Sequence, residues 1–126
     1  MQGTMTWVGM DVHARSTHAA AVIAATGELR RVRFGVGWEP VVAWLGELPA
    51  PVRACYEAGP TGYGLARAAH LAGVAVEVIA PSKTPRAAGE RIKTDRRDAG
   101  LLVRLLMAGR LRSVAIQSRA WRRCVT

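Results

Sequence analysis

Only three aspartates occur in this chain, Asp11, Asp95 and Asp98. Asp11 closes an apolar run, Val8-Gly-Met-Asp11, and Glu57 closes another, Ala54-Cys-Tyr-Glu57. Both read as acids at strand ends, and if those strands are parallel neighbours their carboxylates stand at the same sheet edge. Asp95 and Asp98 are three residues apart at the expected start of a helix, a spacing that lets both face one direction. Four carboxylates converging from separate elements repel one another strongly unless a dication neutralises them. Mg²⁺, or Mn²⁺ in its place, takes such hard oxygen ligands, and two such ions stabilise the attacking and leaving oxygens in phosphodiester chemistry. Each acid also has a plainer reading. Asp95 and Asp98 fit a helix N-cap followed by a second dipole-favoured acid, and taken alone that reading is preferred because cap acids are common. An acid at a strand end is an ordinary turn residue. Only the joint placement points to chemistry.

The charge distribution gives those acids a partner class. The chain of 126 residues carries a net charge of +9. From Met1 to Pro81 six arginines balance six acids, whereas from Ser82 onward twelve Lys or Arg face only Glu90, Asp95 and Asp98. A neutral body with a cationic last third is a polyanion footprint, and nucleic acid is the favoured partner. Arg86, Arg91, Lys93, Thr94, Arg96 and Arg97 are the residues expected on phosphates, Lys93 and Thr94 because they adjoin the acid pair. Sixteen of the eighteen bases are arginine, which suits bidentate phosphate contacts.

The elements that must position these groups follow from pattern. Thr6 to Val12 reads as a buried strand, His18 to Ala25 as a second and Glu28 to Phe34 as a third, joined by short turns as an antiparallel meander. Trp38 to Leu48 is a helix, Val52 to Glu57 a fourth strand, Tyr63 to Leu71 a helix and Val74 to Ala80 a fifth strand. Ser82 to Thr94 reads as a loop or frayed helix, and Asp95 to Ala108 as a helix with Leu101, Leu102, Leu105 and Leu106 in its apolar stripe. The order βββαβαβα is an α/β mixed sheet with helices, and it points to an RNase H-like fold.

Other residues are less informative. His13 reads as a plain polar residue, and His18 and His70 as structural members of apolar patterns. Trp7, Trp38 and Trp44 are core candidates, Cys55 a small buried hydrophobe, and Trp121 a possible base-stacking residue in the basic tail. Gly59, Gly62 and Gly64 lack the dinucleotide-loop spacing and serve a tight turn near Glu57. The two cysteines, Cys55 and Cys124, form no CxxC pair, which argues against a disulfide scaffold or zinc site and for a reducing cytoplasm. The longest apolar run, Ala19 to Ala25, is far short of the ~20 residues a bilayer requires, and no secretory signal pattern opens the chain.

Four blocks carry a family resemblance: Gly9-Met-Asp11-Val-His, Tyr56-Glu-Ala-Gly-Pro-Thr-Gly62, Ala80-Pro-Ser and Lys93-Thr-Asp-Arg-Arg-Asp-Ala99. In that order they resemble the N-terminal domain of the IS110 family transposases and cover nearly the whole chain to about Val114. The resemblance implies a RuvC-like DEDD domain in which Asp11, Glu57, Asp95 and Asp98 are catalytic Mg²⁺ ligands. It implies DNA as substrate in insertion-sequence transposition, an element-encoded non-coding RNA that helps choose the DNA, and homo-oligomerisation with a full-length transposase. Members of the family continue into a C-terminal domain with a nucleophilic serine. The expectation is therefore a domain over 1–114, a disordered or aberrant tail over 115–126, and a truncated copy unable to complete strand exchange alone. The competing reading is a non-enzymatic nucleic-acid-binding remnant with vestigial acids. A sugar-kinase or actin-like ATPase fragment ranks last, because Val12-His-Ala-Arg-Ser replaces the Gly-rich phosphate hairpin that such folds place after the aspartate.

Overall fold

Alternating and continuous apolar runs build a sheet first, and the helices cover it. The computed structural model describes residues 5–59, 62–81 and 97–114. Its elements are β1 (Thr6–Val12), β2 (Thr17–Ile23), β3 (Glu28–Phe34), α1 (Glu39–Glu47), β4 (Val52–Glu57), α2 (Gly64–Leu71), β5 (Val76–Ile79) and α3 (Ala99–Met107). The sheet runs β3-β2-β1-β4-β5. β1, β2 and β3 form the expected antiparallel meander, while β4 lies parallel to β1 and β5 parallel to β4. This is the mixed α/β sheet of the RNase H-like class.

Strand alternation divides the core into two layers. On one face Val8, Met10, Ala54, Tyr56 and Val78 pack with Val41 and Leu45 of α1 and Leu65 of α2. On the other, Trp7, Cys55 and Ile79 meet Leu102, Val103 and Leu106 of α3. β1 is sandwiched between these layers, which explains why its sequence is nearly all apolar. β3 is the opposite case: it is an edge strand, largely exposed, and Arg30, Arg31 and Arg33 punctuate it. Charged side chains on an edge discourage pairing with a further strand. Among the described residues no helix is long and apolar enough to cross a membrane.

Several expected boundaries move. β2 starts at Thr17 and ends at Ile23, and β5 shortens to Val76–Ile79. The largest change is at α3, which begins at Ala99 and not at Asp95. Asp98 is its N-cap, with extended backbone and a carboxylate Oδ1 that accepts the Leu101 amide at 2.8 Å. A cap side chain that satisfies an otherwise orphaned amide ends the helix at that point. Asp98 therefore precedes the helix as its cap and is not an acid of its first turn. Asp95 itself lies outside the described residues, as does the segment expected as a tail, 115–126.

An acid strap ties the far edge of the sheet. Arg53 Nε on β4 donates to Glu77 Oε2 on β5 at 2.7 Å, and Ser113 Oγ donates to Glu77 Oε1 at 2.6 Å, beside a β-bridge from Ser113 to Ile79. Partial burial works to raise the Glu77 carboxyl, but hydrogen bonds from Arg53 and Ser113 outweigh it and hold the group below its ordinary value. A lowered folded value contributes stability above the ordinary carboxylate range that is lost as pH falls through the folded value. Thermal melts across the acid range should thus show a steeper loss in the wild type than in Glu77→Gln. Identical acid profiles for the two proteins would contradict the strap.

Candidate functional site

Asp11 and Glu57 are brought together by strand pairing. The parallel ladder of β1 and β4 runs to Met10 opposite Tyr56, so Asp11 and Glu57 occupy the next position on adjacent strands. Neighbouring strands lie about 4.8 Å apart, and both residues fall on the α3 face of the sheet. On the antiparallel side Asp11 pairs with His18, and His18 pairs with Arg33. One row across four strands therefore reads Glu57, Asp11, His18, Arg33.

Asp11 and Glu57 each already have a polar partner. Asp11 Oδ2 accepts from His13 Nε2 at 3.0 Å, and the His13 ring stands edge-on to His18 with centroids 6.2 Å apart. Glu57 is buried, and its Oε2 accepts from Arg97 Nε at 2.6 Å and from a second guanidinium nitrogen at 2.5 Å. The same guanidinium donates to the Ala80 carbonyl at 2.9 Å. Arg97, expected on nucleic acid, is thus turned inward. The physical reason is the cost of a buried carboxylate without a counter-charge.

Asp11 and Asp98 line one cleft of about 320 Å³, together with His13, His18, Arg31 and Arg33. Glu57 adjoins it through the strand row. Among the described residues no group of three His, Cys, Asp or Glu gathers closely enough to hold a metal ion. The fourth expected acid, Asp95, and the expected phosphate contacts Arg86, Arg91, Lys93, Thr94 and Arg96 all lie outside the described residues.

Sequence reasoning missed His18, Arg31 and Arg33. His18 was expected to be structural, yet it is exposed at the cleft. The meander that pairs β1 with β2 and β2 with β3 was expected, but not the register that sets all three on the Asp11 face. Local support for the site is clearer. Burial pushes the Tyr56 phenol up to about 12, and its hydroxyl donates to the Gly62 carbonyl at 3.0 Å while accepting the Ala66 amide at 3.3 Å. That pair of bonds anchors the turn after Glu57 to α2. Burial likewise pushes the Cys55 thiol up to about 12, so Cys55 stays a protonated core residue and not a nucleophile.

Comparison with known proteins shows the family. The IS110 DEDD family model, described as a transposase, matches residues 8–123. The y4qE protein of Sinorhizobium fredii (strain NBRC 101917 / NGR234), named as a candidate transposase, is 44% identical over 115 residues, covering 86% of this chain and 29% of its own. The transposase for insertion sequence element IS1533 of Leptospira borgpetersenii is 35% identical over 109 residues, covering 83% of this chain and 32% of its own. The chain spans less than a third of the length of either relative. A family match over most of its residues, acids at the ends of β1 and β4 included, establishes that the chain belongs to the IS110 family of DEDD transposases.

Proposed function

We propose that this chain acts as the metal-dependent, DNA-binding catalytic portion of an insertion-sequence transposase, with Asp11, Glu57, Asp95 and Asp98 as the acid set. The observation that carries the reading is the adjacency of Asp11 and Glu57 on parallel strand ends, with Asp98 lining the same cleft as Asp11. The donor chemistry suits a hard dication: Asp11, Glu57 and Asp98 are carboxylates from β1, β4 and the cap of α3, and Asp11 and Asp98 line one cleft. Mg²⁺ or Mn²⁺ held there supplies Lewis-acid stabilisation of a phosphodiester's oxygens. The chain's own residues do the rest. Asp11 and Asp98 present carboxylate oxygens to the cleft, and His13 orients Asp11 through its 3.0 Å contact. Asp98 fixes the start of α3 and so its own position.

A divalent ion that does not support catalysis, Ca²⁺, should strengthen DNA binding by the wild-type chain and leave Asp11→Asn unaffected. DNA binding indifferent to both the cation and Asp11 would contradict the reading. A non-enzymatic remnant is the second reading, favoured by one observation: Arg97 already neutralises Glu57. It predicts DNA binding without any cation effect, so the same titration separates the two. An RNA partner and self-association with a longer transposase remain parts of the proposal carried by family resemblance.

Strand joining is expected to fail with this chain alone. In the resembled family a serine outside this domain attacks DNA, and Ser113, the described serine nearest an acid, donates its hydroxyl to Glu77 at the other sheet edge. Among the described residues no histidine stands beside it, and the Glu77 carboxylate that accepts its proton is held ionised by Arg53, a weak base for activating a serine. Purified chain with DNA and Mg²⁺ should give no recombinant junctions by amplification across donor and target. Their appearance would show that the serine requirement is wrong.

A further inference from the structure

Several arginines of the described fold are neutralised by carboxylates. Arg30 pairs with Glu28, Arg53 with Glu77 and Arg97 with Glu57. Arg31 and Arg33 are different: neither makes an ion pair among the described residues, both are exposed, and both line the cleft that holds Asp11 and Asp98. Exposed unpaired arginines occur elsewhere, so their position is the informative fact.

Strand pairing fixes that position. Arg33 extends the row Glu57, Asp11, His18, and lies two strands from Asp11, about 10 Å at the usual strand spacing. Arg31 pairs with Ala20, one step back along the same face, toward α3. Its guanidinium rests against Gly100 in the first turn of α3, where a Cβ would come within 2.9 Å of a guanidinium nitrogen. The glycine gives that guanidinium its place beside the amino end of the helix, where the backbone dipole also favours an anion. The result is a cleft that carries two forked cations beside its acids. Metal-ligating carboxylates alone do not need such cations; an anion lying across the cleft does.

We infer that Arg31 and Arg33 form a phosphate clamp that holds a DNA strand across the acid site, a few nucleotides from the phosphodiester presented to Asp11. At a rise of 3.4 Å per nucleotide, a separation of about 10 Å matches a few steps along one strand. Guanidinium groups grip phosphate bidentately, so the pair fixes register and not sequence. The inference rests on the proposed DNA-processing role and assigns the residues that position the substrate.

The test is fluorescence anisotropy of the 126-residue chain with a short labelled duplex of random sequence, titrated from about 50 to about 200 mM salt. Loss of two phosphate contacts in Arg31→Gln/Arg33→Gln should reduce the log–log salt slope by about 1.8. The charge-matched control Arg104→Gln/Arg110→Gln, on exposed positions at the other end of α3 and beyond it, should reduce it by less than half as much. Arg31→Lys/Arg33→Lys keeps the charge and should keep the slope, but bind more weakly because the fork is gone. Thermal melts of all variants should match the wild type, since the replaced groups are exposed. Equal losses in both glutamine pairs would overturn the clamp, as would loss confined to an RNA duplex of the same length. Wild-type chain that binds no DNA at any salt would instead overturn the DNA-processing role itself, and Asp11→Asn should lose the Ca²⁺ effect while keeping the full salt slope.

Discussion

Gly9→Ala is expected to be among the most damaging single substitutions in the fold. Gly9 sits in the centre of β1, between Ala20 and Cys55 on its neighbours, and α3 crosses directly over it. An added Cβ would lie 2.5 Å from the Val103 amide nitrogen and 2.6 Å from the Ala99 carbonyl oxygen. These are backbone atoms of α3, so no rotamer change relieves the contact. The helix must lift away from the sheet, and Leu102, Val103 and Leu106 lift with it. The expected destabilisation is about 3 kcal/mol, at the upper end of overpacking costs. Urea unfolding should show a lower midpoint with an unchanged slope. A shift of less than about 0.5 kcal/mol would mean that α3 does not approach β1 this closely. Because Asp98 caps α3, the same substitution also displaces an acid of the cleft.

Arg97→Ala is expected to cost nearly as much, for an electrostatic reason. Its guanidinium is a largely buried counter-charge of Glu57 and also satisfies the Ala80 carbonyl. Removing one partner of a buried pair leaves the other carboxylate desolvated, which typically costs about 3–5 kcal/mol. The 17% exposure of the Arg97 side chain places the expectation at about 3 kcal/mol. Glu57→Gln in the same background should recover much of the loss, because a neutral amide needs no counter-charge. A double-mutant cycle in urea isolates the pair. If Arg97→Ala and Arg97→Ala/Glu57→Gln are equally destabilised, the ion pair is not what holds Arg97 in place.

Much of this architecture was legible in the sequence because burial leaves a pattern. The continuous apolar run of β1 and the helical spacing of Val41 and Leu45 identified their elements directly. Element order allowed β1 and β4 to be parallel neighbours, and their ladder makes them so, with Asp11 and Glu57 at the next position. The start of α3 was misplaced because two acids three residues apart both resemble caps. Only the bond from Asp98 to the Leu101 amide chooses between them. Arg97 was equally ambiguous: an arginine in a basic segment reads as a phosphate contact until its neighbour is known to be a buried glutamate. Arg31 and Arg33 were invisible for a third reason. Their place at the cleft depends on the residue-by-residue register of the meander and on where α3 packs, which the expected strand order does not fix.

Calorimetric titration of Mn²⁺ into the wild-type chain, Asp11→Asn and Asp98→Asn reads the shared acid site directly. Asparagine also caps helices well, so Asp98→Asn keeps α3 in place while removing a charge. If carboxylates from separate elements hold a common dication, the wild type gives a saturable binding isotherm, and each substitution weakens it at least tenfold while leaving the melting temperature in EDTA intact or higher. Wild-type and variant isotherms that superimpose would contradict a shared metal site and leave the acids with only their structural roles.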